Sequence, residues 1–205
     1  MPSAKMGQPN DLDKKLYFQL TGKGEKVTLR FGNLDYHYDG KHFLPQAGSD
    51  KKSVTPCPRI NNKLDCQYCN KYFEMMRAAK EIPDETQRKK AEDAAGQSGN
   101  KVSLTFYYPA LNRATKSAII FQTKLSVRLA LEAEIAEGVD VLKYDWVVTR
   151  TQDPGKSYYT TKRVDSAEMK KLDKHETGEL LVAQAMNVSD IINGKHADVA
   201  DSEVI

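Results

Sequence analysis

Three cysteines lie close together in the chain, at a spacing typical of metal sites. Cys66 and Cys69 form a Cys-x-x-Cys pair, and eight residues separate Cys66 from Cys57. Two thiolates of one tight turn can reach the same ion, and zinc prefers four thiolate or imidazole ligands in a tetrahedron. The spacing therefore predicts that these cysteines supply three ligands to one metal ion.

A histidine is the expected fourth ligand. Fourteen residues lie between His42 and Cys57, and His37 is a nearby competitor. We expect His42 to complete the site. A set of three cysteines and one histidine fills a tetrahedron and leaves no position for substrate or water, so we expect one structural Zn²⁺ ion rather than a catalytic one.

The alternative for Cys66 and Cys69 is thiol exchange. A redox pair normally opens a helix in a βαβ unit, whereas the sequence before Cys66 is polar and contains Pro56 and Pro58. Residues 1–15 contain no apolar stretch that resembles a secretory signal, which predicts a reducing, intracellular location. Metal binding is therefore favoured over a disulfide.

The sequence gives no positive indication of an enzyme. It contains no Ser-His-Asp order, no His-Glu-x-x-His motif and no obvious pair of catalytic carboxylates. Gly22-Lys23-Gly24 lacks the remainder of a phosphate-binding loop. No apolar run has the length of a membrane span, so we expect no membrane association.

The distribution of charge indicates a polyanionic partner. The 205 residues include 31 Lys and Arg against 28 Asp and Glu, a formal net charge of only +3. Residues 94–131 nevertheless contain no acidic residue and five cations, which creates a local positive field. The last residues, by contrast, are acidic.

Aromatic residues interleaved with cations are the expected footprint of single-stranded nucleic acid, because bases stack on rings while Lys and Arg contact phosphates. The same aromatics are also common in the core of any sheet. We expect Tyr107 to be a platform because it lies on the polar face of its strand. The candidate contacts are Arg30, Tyr36, Tyr38, Lys41, Phe43, Arg59, Tyr107, Arg113, Lys116, Arg150, Tyr158 and Tyr159.

Hydrophobic periodicity predicts the elements that must position these residues. The predicted strands are 16–20, 27–31, 34–38, 101–108, 117–122, 144–149 and 157–164, and the first two form a hairpin through the turn at 21–24. The predicted helices are 72–82, 84–95, 126–137, 166–174 and 179–186. Trp146 alternates with apolar neighbours, so we expect it in the core, and residues 42–70 have no periodic pattern and are expected to be irregular.

Six or seven short strands with helices inserted predict a mainly β fold, either a small barrel with a metal-binding lobe or an open sandwich. The expected organisation has a flexible arm, a nucleic-acid-binding domain containing the lobe, C-terminal helices and an acidic flexible tail. The corresponding ranges are 1–15, 16–165 with the lobe at 42–82, 166–192 and 193–205.

The order of these motifs resembles the zinc-containing single-stranded-DNA-binding proteins of tailed bacteriophages. The resemblance covers residues 16–165. It rests on a histidine followed by Cys57-Pro58, Cys66-Gln67-Tyr68-Cys69 and an aromatic-rich helix, and on the segments Trp146 to Thr151 and Tyr159-Thr160 that follow.

The resemblance implies an OB-fold that binds single-stranded DNA without sequence preference during replication, recombination or repair. It also implies that the acidic tail recruits replication proteins and that the protein, if a phage encodes it, is located in the host cytoplasm. Two other functions stay open at this point. One is a zinc-ribbon module that docks proteins in transcription or virion assembly, and the other is a metal-dependent nuclease, which would need carboxylates converging on an open metal site.

Overall fold

A computed structural model of the chain describes residues 16–49, 51–151 and 158–192. The described residues form two compact units. The first, here called the sheet unit, takes in the chain up to His37 and from Phe106 onward, and the second, the cysteine unit, is Tyr38–Thr105. The predicted arm at 1–15, the tail predicted at 193–205, and residues 50 and 152–157 lie outside the described residues.

The protein has a mixed α/β fold in which most strands pair in antiparallel fashion. The strands are β1 (Tyr17–Phe18), β2 (Lys26–Phe31), β3 (His37–Pro45), β4 (Lys52–Pro56), β5 (Ser103–Asn112), β6 (Ser117–Thr123), β7 (Trp146–Arg150) and β8 (Tyr159–Arg163). The helices are α1 (Pro58–Asn62), α2 (Gln67–Lys80), α3 (Glu85–Gln97), α4 (Leu125–Ala136), α5 (Lys174–Ala185) and α6 (Val188–Ile192), and a 3-10 turn spans Val141–Lys143.

In the sheet unit the strand order is β1-β6-β5-β2-β7-β8. Only β1 runs parallel to its neighbour, and the other neighbours on this path are antiparallel. No pairing joins β1 to β8 among the residues that the structure describes, so this path is not closed into a barrel. The mixed β and α character is confirmed, while an OB-fold stays a prediction.

The core of the sheet unit is built from aromatic and branched side chains of the central strands. Phe31, Phe106, Tyr108, Phe121 and Trp146 are all nearly inaccessible to solvent. The indole Nε1 of Trp146 donates to the carbonyl of Val141 at 2.8 Å, which satisfies the polar atom that its burial would otherwise leave unpaired. The prediction that Trp146 belongs to the core is confirmed.

The predicted hairpin between the first two strands is wrong. Strand β1 pairs with β6, whereas β2 lies between β5 and β7. The Glu25 carboxylate accepts from the Thr21 backbone at 2.7 Å, and the Gly24 N–H donates to the Arg150 carbonyl at 2.8 Å. These bonds direct the chain towards β7. The alternation of apolar residues alone does not specify such a pairing between segments that are distant in sequence.

Three other segments differ from their predicted state. The strand predicted at 34–38 begins only at His37. Residues 42–70 are not irregular, because they hold the C-terminal part of β3, all of β4 and α1, and the start of α2. The helix predicted at 166–174 is absent from this described segment. Helix α5 instead begins at Lys174, where a capping box between Asp173 and Glu176 fixes its first turn. Helix α3, capped by Asp84, and helix α4 confirm the predictions for 84–95 and 126–137.

Within the described ranges, no helix combines the length and the apolar character needed to cross a lipid bilayer.

Candidate metal centre and predicted nucleic-acid contacts

The three cysteines and His42 converge in the cysteine unit, and all four are buried. One ligand atom from each lies within 4.8 Å of the others. Three of the separations are 3.3 Å from Cys66 Sγ to His42 Nε2, 3.5 Å from Cys57 Sγ to Cys69 Sγ and 3.8 Å from Cys69 Sγ to His42 Nε2. The cluster predicted from spacing is therefore assembled, with Nε2 as the histidine atom that faces the thiols.

Each ligand is presented by the end of an element or by one face of a strand. Cys57 follows β4 and occupies the N-cap of α1, whereas Cys66 occupies the N-cap of α2 and Cys69 lies in its first turn. His42 comes from the buried face of β3. Neither capping cysteine uses its side chain to cap its helix, so both thiols remain directed to the cluster.

The strand that carries His42 is held close to Cys57. The Cys57 N–H donates to the Gly40 carbonyl at 2.8 Å, and the side chain of Asn61 bonds both the N–H and the carbonyl of Gly40. A Cβ atom at Gly40 would lie 2.8 Å from Ile60 Cβ and 2.9 Å from Val102, so the close approach requires glycine. This packing fixes where His42 lies relative to Cys57.

A cluster of hydrogen-bonded polar side chains stabilises the Cys66-x-x-Cys69 turn from its outer side. Arg59 donates to Asn70 Oδ1 at 2.6 Å and to Asp65 Oδ1 at 3.2 Å, and Asn70 donates to both oxygens of Asp65. The hydrogen bond from Asn70 is the main reason why the pKa of Asp65 is lowered, and Arg59 acts in the same direction. Arg59, predicted as a phosphate contact, thus has a local structural role.

The electrostatics of the four side chains suit a cation better than a set of free thiols. Burial and, to a smaller extent, the neighbouring thiols of Cys57 and Cys66 together raise the pKa of Cys69 to about 12. Burial also raises the pKa of Cys66, but hydrogen bonds from the backbone of Cys69 and Tyr68 and from the other thiols bring it below its ordinary value. A bound metal ion makes the ionised form of such thiols favourable, because a thiol that coordinates a metal ion loses its proton.

The state of His42 is also the one that a metal ligand needs. Burial is the largest influence on the pKa of His42 and lowers it, while the backbone of Asn100 acts in the opposite direction. A lowered pKa keeps the imidazole neutral near neutral pH, and only the neutral ring can ligate a metal ion.

The residues present fit one metal ion with tetrahedral coordination. An ion about 2.3 Å from each sulfur and about 2.0 Å from nitrogen spaces its ligands roughly 3.5–3.8 Å apart, close to the separations quoted above. All three cysteines are free, and the 3.5 Å between Cys57 and Cys69 is far longer than the ~2.05 Å of a disulfide. This buried cluster could therefore hold one structural metal ion.

His37, the competing ligand, is elsewhere. It belongs to the sheet unit, where its Nδ1 lies 3.2 Å from Ser189 Oγ and its ring packs 6.0 Å from that of Tyr107. Of the two histidines, the structure brings only His42 to the cysteines.

Strand β3 presents opposite faces to the metal cluster and to solvent. His42 is 0% exposed, whereas Phe43 is 36% exposed, and the residue paired with Phe43 on β4, Val54, is 54% exposed. Lys41 and Lys52 lie on the same outer face, on either side of the Phe43–Val54 pair, and Lys41 forms an ion pair with Asp39 at 3.2 Å. We call these four residues the hairpin face, and two of them, Lys41 and Phe43, were predicted as contacts.

Two predicted cations, Arg30 and Arg113, are engaged in a buried ion cluster of the sheet unit. Asp145 accepts from Arg30 Nε at 2.8 Å and from Arg113 Nε at 3.1 Å, and Arg113 Nη1 lies 2.9 Å from Glu176 Oε1. Neither acidic side chain is more than 7% exposed. Both arginines are used inside the fold, contrary to the exposed position that phosphate contact needs.

Lys116 and Arg150 also have partners within the sheet unit. Lys116 is about half exposed and pairs with Asp173 at 2.6 Å. Arg150 donates to the Leu20 carbonyl at 2.6 Å and lies over the Tyr158 ring, 6.0 Å from its centroid. Of these two cations, Lys116 is the one whose charged end reaches solvent beside its partner.

The predicted aromatic platforms divide into buried and exposed rings. Tyr107, expected on a solvent-facing side of β5, is only 7% exposed, because Leu16, Tyr17 and Val188 cover that side of the strand. Tyr159 is buried as well, and Arg128 lies over the ring of Tyr36 at 4.9 Å. Tyr38, Phe43 and Tyr158 remain exposed.

Sequence reasoning missed several residues with accessible, chemically useful side chains. Lys52 and Val54 complete the hairpin face, and a correct assignment of β4 with its register would have identified them. Phe73, inside the helix predicted at 72–82, is 46% exposed, with Arg59 over its ring at 5.5 Å. Arg128 also caps the aromatic pair Tyr36 and Phe106, which no local pattern indicates.

Comparison with known proteins gives no family to which the chain can be assigned. No family model, no curated protein sequence and no solved structure matches it.

Proposed function

We propose that this protein binds single-stranded DNA, largely irrespective of base sequence, through the hairpin face, and that one structural zinc ion braces that face. The role is non-catalytic and belongs to phage DNA replication, recombination or repair. The observation that carries the proposal is that the two faces of β3 have different surroundings. His42 faces the metal cluster, whereas Phe43 faces solvent between two lysines.

Zinc is the proposed ion because of the donor set. Three thiolates and one imidazole are soft and borderline ligands, whereas magnesium and calcium prefer oxygen. With all four positions filled by protein, the ion supplies local stability rather than a reactive water.

The hairpin face has the composition that single-strand binding requires. An exposed ring offers a stacking surface to any base, and flanking lysines neutralise phosphates without reading sequence. Phe43 supplies the ring and Lys52 an exposed charge, while Lys41, which pairs with Asp39 at 3.2 Å, would exchange that carboxylate for a phosphate. The resemblance to phage single-stranded-DNA-binding proteins supports the choice of DNA and of replication proteins as further partners.

The test is fluorescence anisotropy of labelled oligo-dT, a matched duplex and an RNA strand at two salt concentrations. We expect oligo-dT to bind more tightly than duplex and to weaken with salt, because phosphate contacts release counterions. Removing the zinc with a chelator should abolish most of this binding. Failure to bind any of the three at low salt would contradict the proposal.

A matched pair of variants locates the site. Phe43→Ala should weaken oligo-dT binding by about 5- to 150-fold, which corresponds to the ~1–3 kcal/mol that one stacked base contributes. Leu64→Ala removes an even more exposed apolar side chain of the same unit that is not on the hairpin face. It should leave the affinity within about two-fold, so equal losses in both variants would reject the hairpin face as the site.

The second candidate function is a zinc-ribbon module that docks another protein in transcription or virion assembly. Its support is the exposure of Leu64 and Phe73 on the cysteine unit, since exposed apolar residues near a metal site can bind a protein partner. This candidate predicts weak binding to all three nucleic acids and no dependence on Phe43.

A further inference from the structure

A cavity of about 690 Å³ lies within the sheet unit, where the segment 164–173 passes beside β7 and β8. Cavities that hold small ligands commonly measure about 300–1,000 Å³. Part of the wall is apolar and comes from Ala114, Val147 and Val164. The remainder is dominated by charged side chains.

Most of these charges are already neutralised by partners within the unit. Asp145 and Glu176 pair with Arg113, Asp173 pairs with Lys116, and Arg163 pairs with Glu134 at 3.0 Å. Three lysines of the wall, Lys162, Lys170 and Lys171, have no ion-pair partner among residues 16–49, 51–151 and 158–192, and Glu168 is the one acidic wall residue without one there. The unpaired side chains of the wall therefore carry three positive charges and one negative charge, a formal excess of two positive charges.

The buried ion cluster holds the backbone that carries two of these lysines. Arg113 Nη2 donates to the Lys170 carbonyl at 2.8 Å. The preceding residue, Met169, accepts at its sulfur from Arg30 Nη2 at 3.5 Å and from the Asp145 N–H at 3.3 Å. Lys170 and Lys171 are thus attached to a segment anchored by the core of the unit.

We infer that this cavity binds a phosphate monoester, with Lys162, Lys170 and Lys171 contacting the phosphate and the apolar wall contacting the rest of the ligand. A phosphate monoester carries a charge of about −1.5 to −2 near neutral pH, which matches the excess charge of the wall. Lysine ammonium groups bind phosphate as point charges and need no particular ligand orientation. The inference does not depend on the hairpin face, which belongs to the cysteine unit.

Isothermal titration calorimetry of the full-length, metal-loaded protein tests the inference. The probes are thymidine 5′-monophosphate, inorganic phosphate and thymidine at low salt. Both phosphate compounds should bind at one site, and thymidine should not. Equal binding of thymidine and its monophosphate, or no binding of either phosphate compound, would overturn the inference.

Two double variants separate the cavity from general charge effects. Lys170→Gln/Lys171→Gln should weaken binding of the monophosphate at least about ten-fold, because each contact is a hydrogen bond to a charged group. Lys143→Gln/Lys174→Gln changes the net charge equally at exposed lysines that do not line the cavity, and should change affinity less than about two-fold. Equal losses in the two double variants would assign the binding to net charge and overturn the inference.

The physiological source of the phosphate is either a free nucleotide or the end of a strand. Oligo-dT with a 5′-phosphate and oligo-dT with a 5′-hydroxyl distinguish them. A 5′-phosphate advantage that Lys170→Gln/Lys171→Gln removes would support the site with a strand end as ligand. No such advantage, together with binding of the free monophosphate, would support the site with a nucleotide as ligand. The 5′-hydroxyl strand tests binding to the hairpin face alone. The experiment can therefore detect the failure of one proposal even when the other proposal holds.

Discussion

His42 and Phe43 are consecutive residues of β3 that lie on opposite faces of the β3–β4 hairpin. The imidazole of His42 is fully buried against the thiols of Cys66 and Cys69, whereas the ring of Phe43 is exposed beside Val54. Because neighbouring side chains of a strand alternate between its two faces, fixing His42 also fixes the orientation of Phe43. The metal cluster and the solvent-facing ring are therefore coupled through one peptide unit.

The first prediction concerns metal content. The wild-type protein should contain one zinc ion per chain, and His42→Ala should lose most of it, because three thiolates alone leave one tetrahedral position without a protein ligand. His37→Ala is the matched control, since His37 lies outside the cluster. Elemental analysis after dialysis against a weak chelator measures both variants. Retention of one zinc ion by His42→Ala together with its loss in His37→Ala would show that the fourth ligand is misassigned.

The second prediction concerns the glycine that lets β3 approach Cys57. Gly40→Ala should destabilise the cysteine unit by about 1–3 kcal/mol, because the new methyl group would lie 2.8 Å from Ile60 Cβ. Gly96→Ala, in α3 of the same unit, places its methyl in open space and should stabilise by up to about 1 kcal/mol.

Urea unfolding followed by circular dichroism compares these two glycine variants in the metal-loaded protein. Opposite signs of the change in unfolding free energy are expected. A Gly40→Ala variant as stable as the wild type would mean that the hairpin can shift without cost, and the proposed coupling between His42 and Phe43 would then be loose.

The metal cluster was predictable because its signal is local and chemical. Cys57, Cys66 and Cys69 lie within thirteen residues of the sequence. Few kinds of site other than a metal site require cysteines at that spacing. The choice of His42 over His37 rested on sequence distance alone, and the structure confirms that His42 joins the cysteines. A short loop limits which residues can meet, so the sequence contained most of the answer.

The exposed or buried state of the aromatic residues was not predictable in the same way. Tyr107 follows the alternation of β5, but eight consecutive residues of that strand are buried because both of its faces are covered. The cover on the Tyr107 side comes partly from Val188, which is 81 positions away in sequence. Alternation reports which side chains share a face, and only the tertiary structure decides whether that face meets solvent.

Pairing of charges over long sequence distances had no sequence signal either. Arg30 and Arg113 were predicted to contact phosphate because cations on strands often do so. The structure instead directs both to Asp145, 115 and 32 residues away. Nothing in the spacing of these three residues indicates that they meet.

The third prediction concerns this buried ion cluster. Asp145→Asn should destabilise the sheet unit by about 3–5 kcal/mol, because it leaves two arginines that are at most 12% exposed without their shared carboxylate. Asp140→Asn is the matched control, since Asp140 is exposed and asparagine caps a helical turn equally well. Thermal unfolding monitored by Trp146 fluorescence reports on the same unit. A loss below about 1 kcal/mol for Asp145→Asn would show that the arginines find other partners.

The fourth prediction concerns the pH dependence contributed by Asp173. Its pKa lies below the ordinary value of 3.8, chiefly because its carboxylate accepts from the backbone N–H of Glu176, with a further contribution from Lys116. A carboxylate whose pKa is lowered by folding stabilises the fold above its ordinary pKa, and this stabilisation is lost as the pH falls through the lower, folded value. The wild type should therefore exceed Asp173→Asn in Tm near pH 6, and the difference should shrink as the pH falls below 3.8.

Thermal melts of the two proteins between pH 6 and pH 2.5 measure this difference. Asparagine retains the N-cap of α5, so the comparison isolates the charge of Asp173 and its pairing with Lys116. Lys116→Gln in the Asp173→Asn background should add no further pH dependence in this range, because the partner carboxylate is already absent. A Tm difference that stays constant down to pH 2.5 would assign the effect of Asp173→Asn to capping geometry instead of charge.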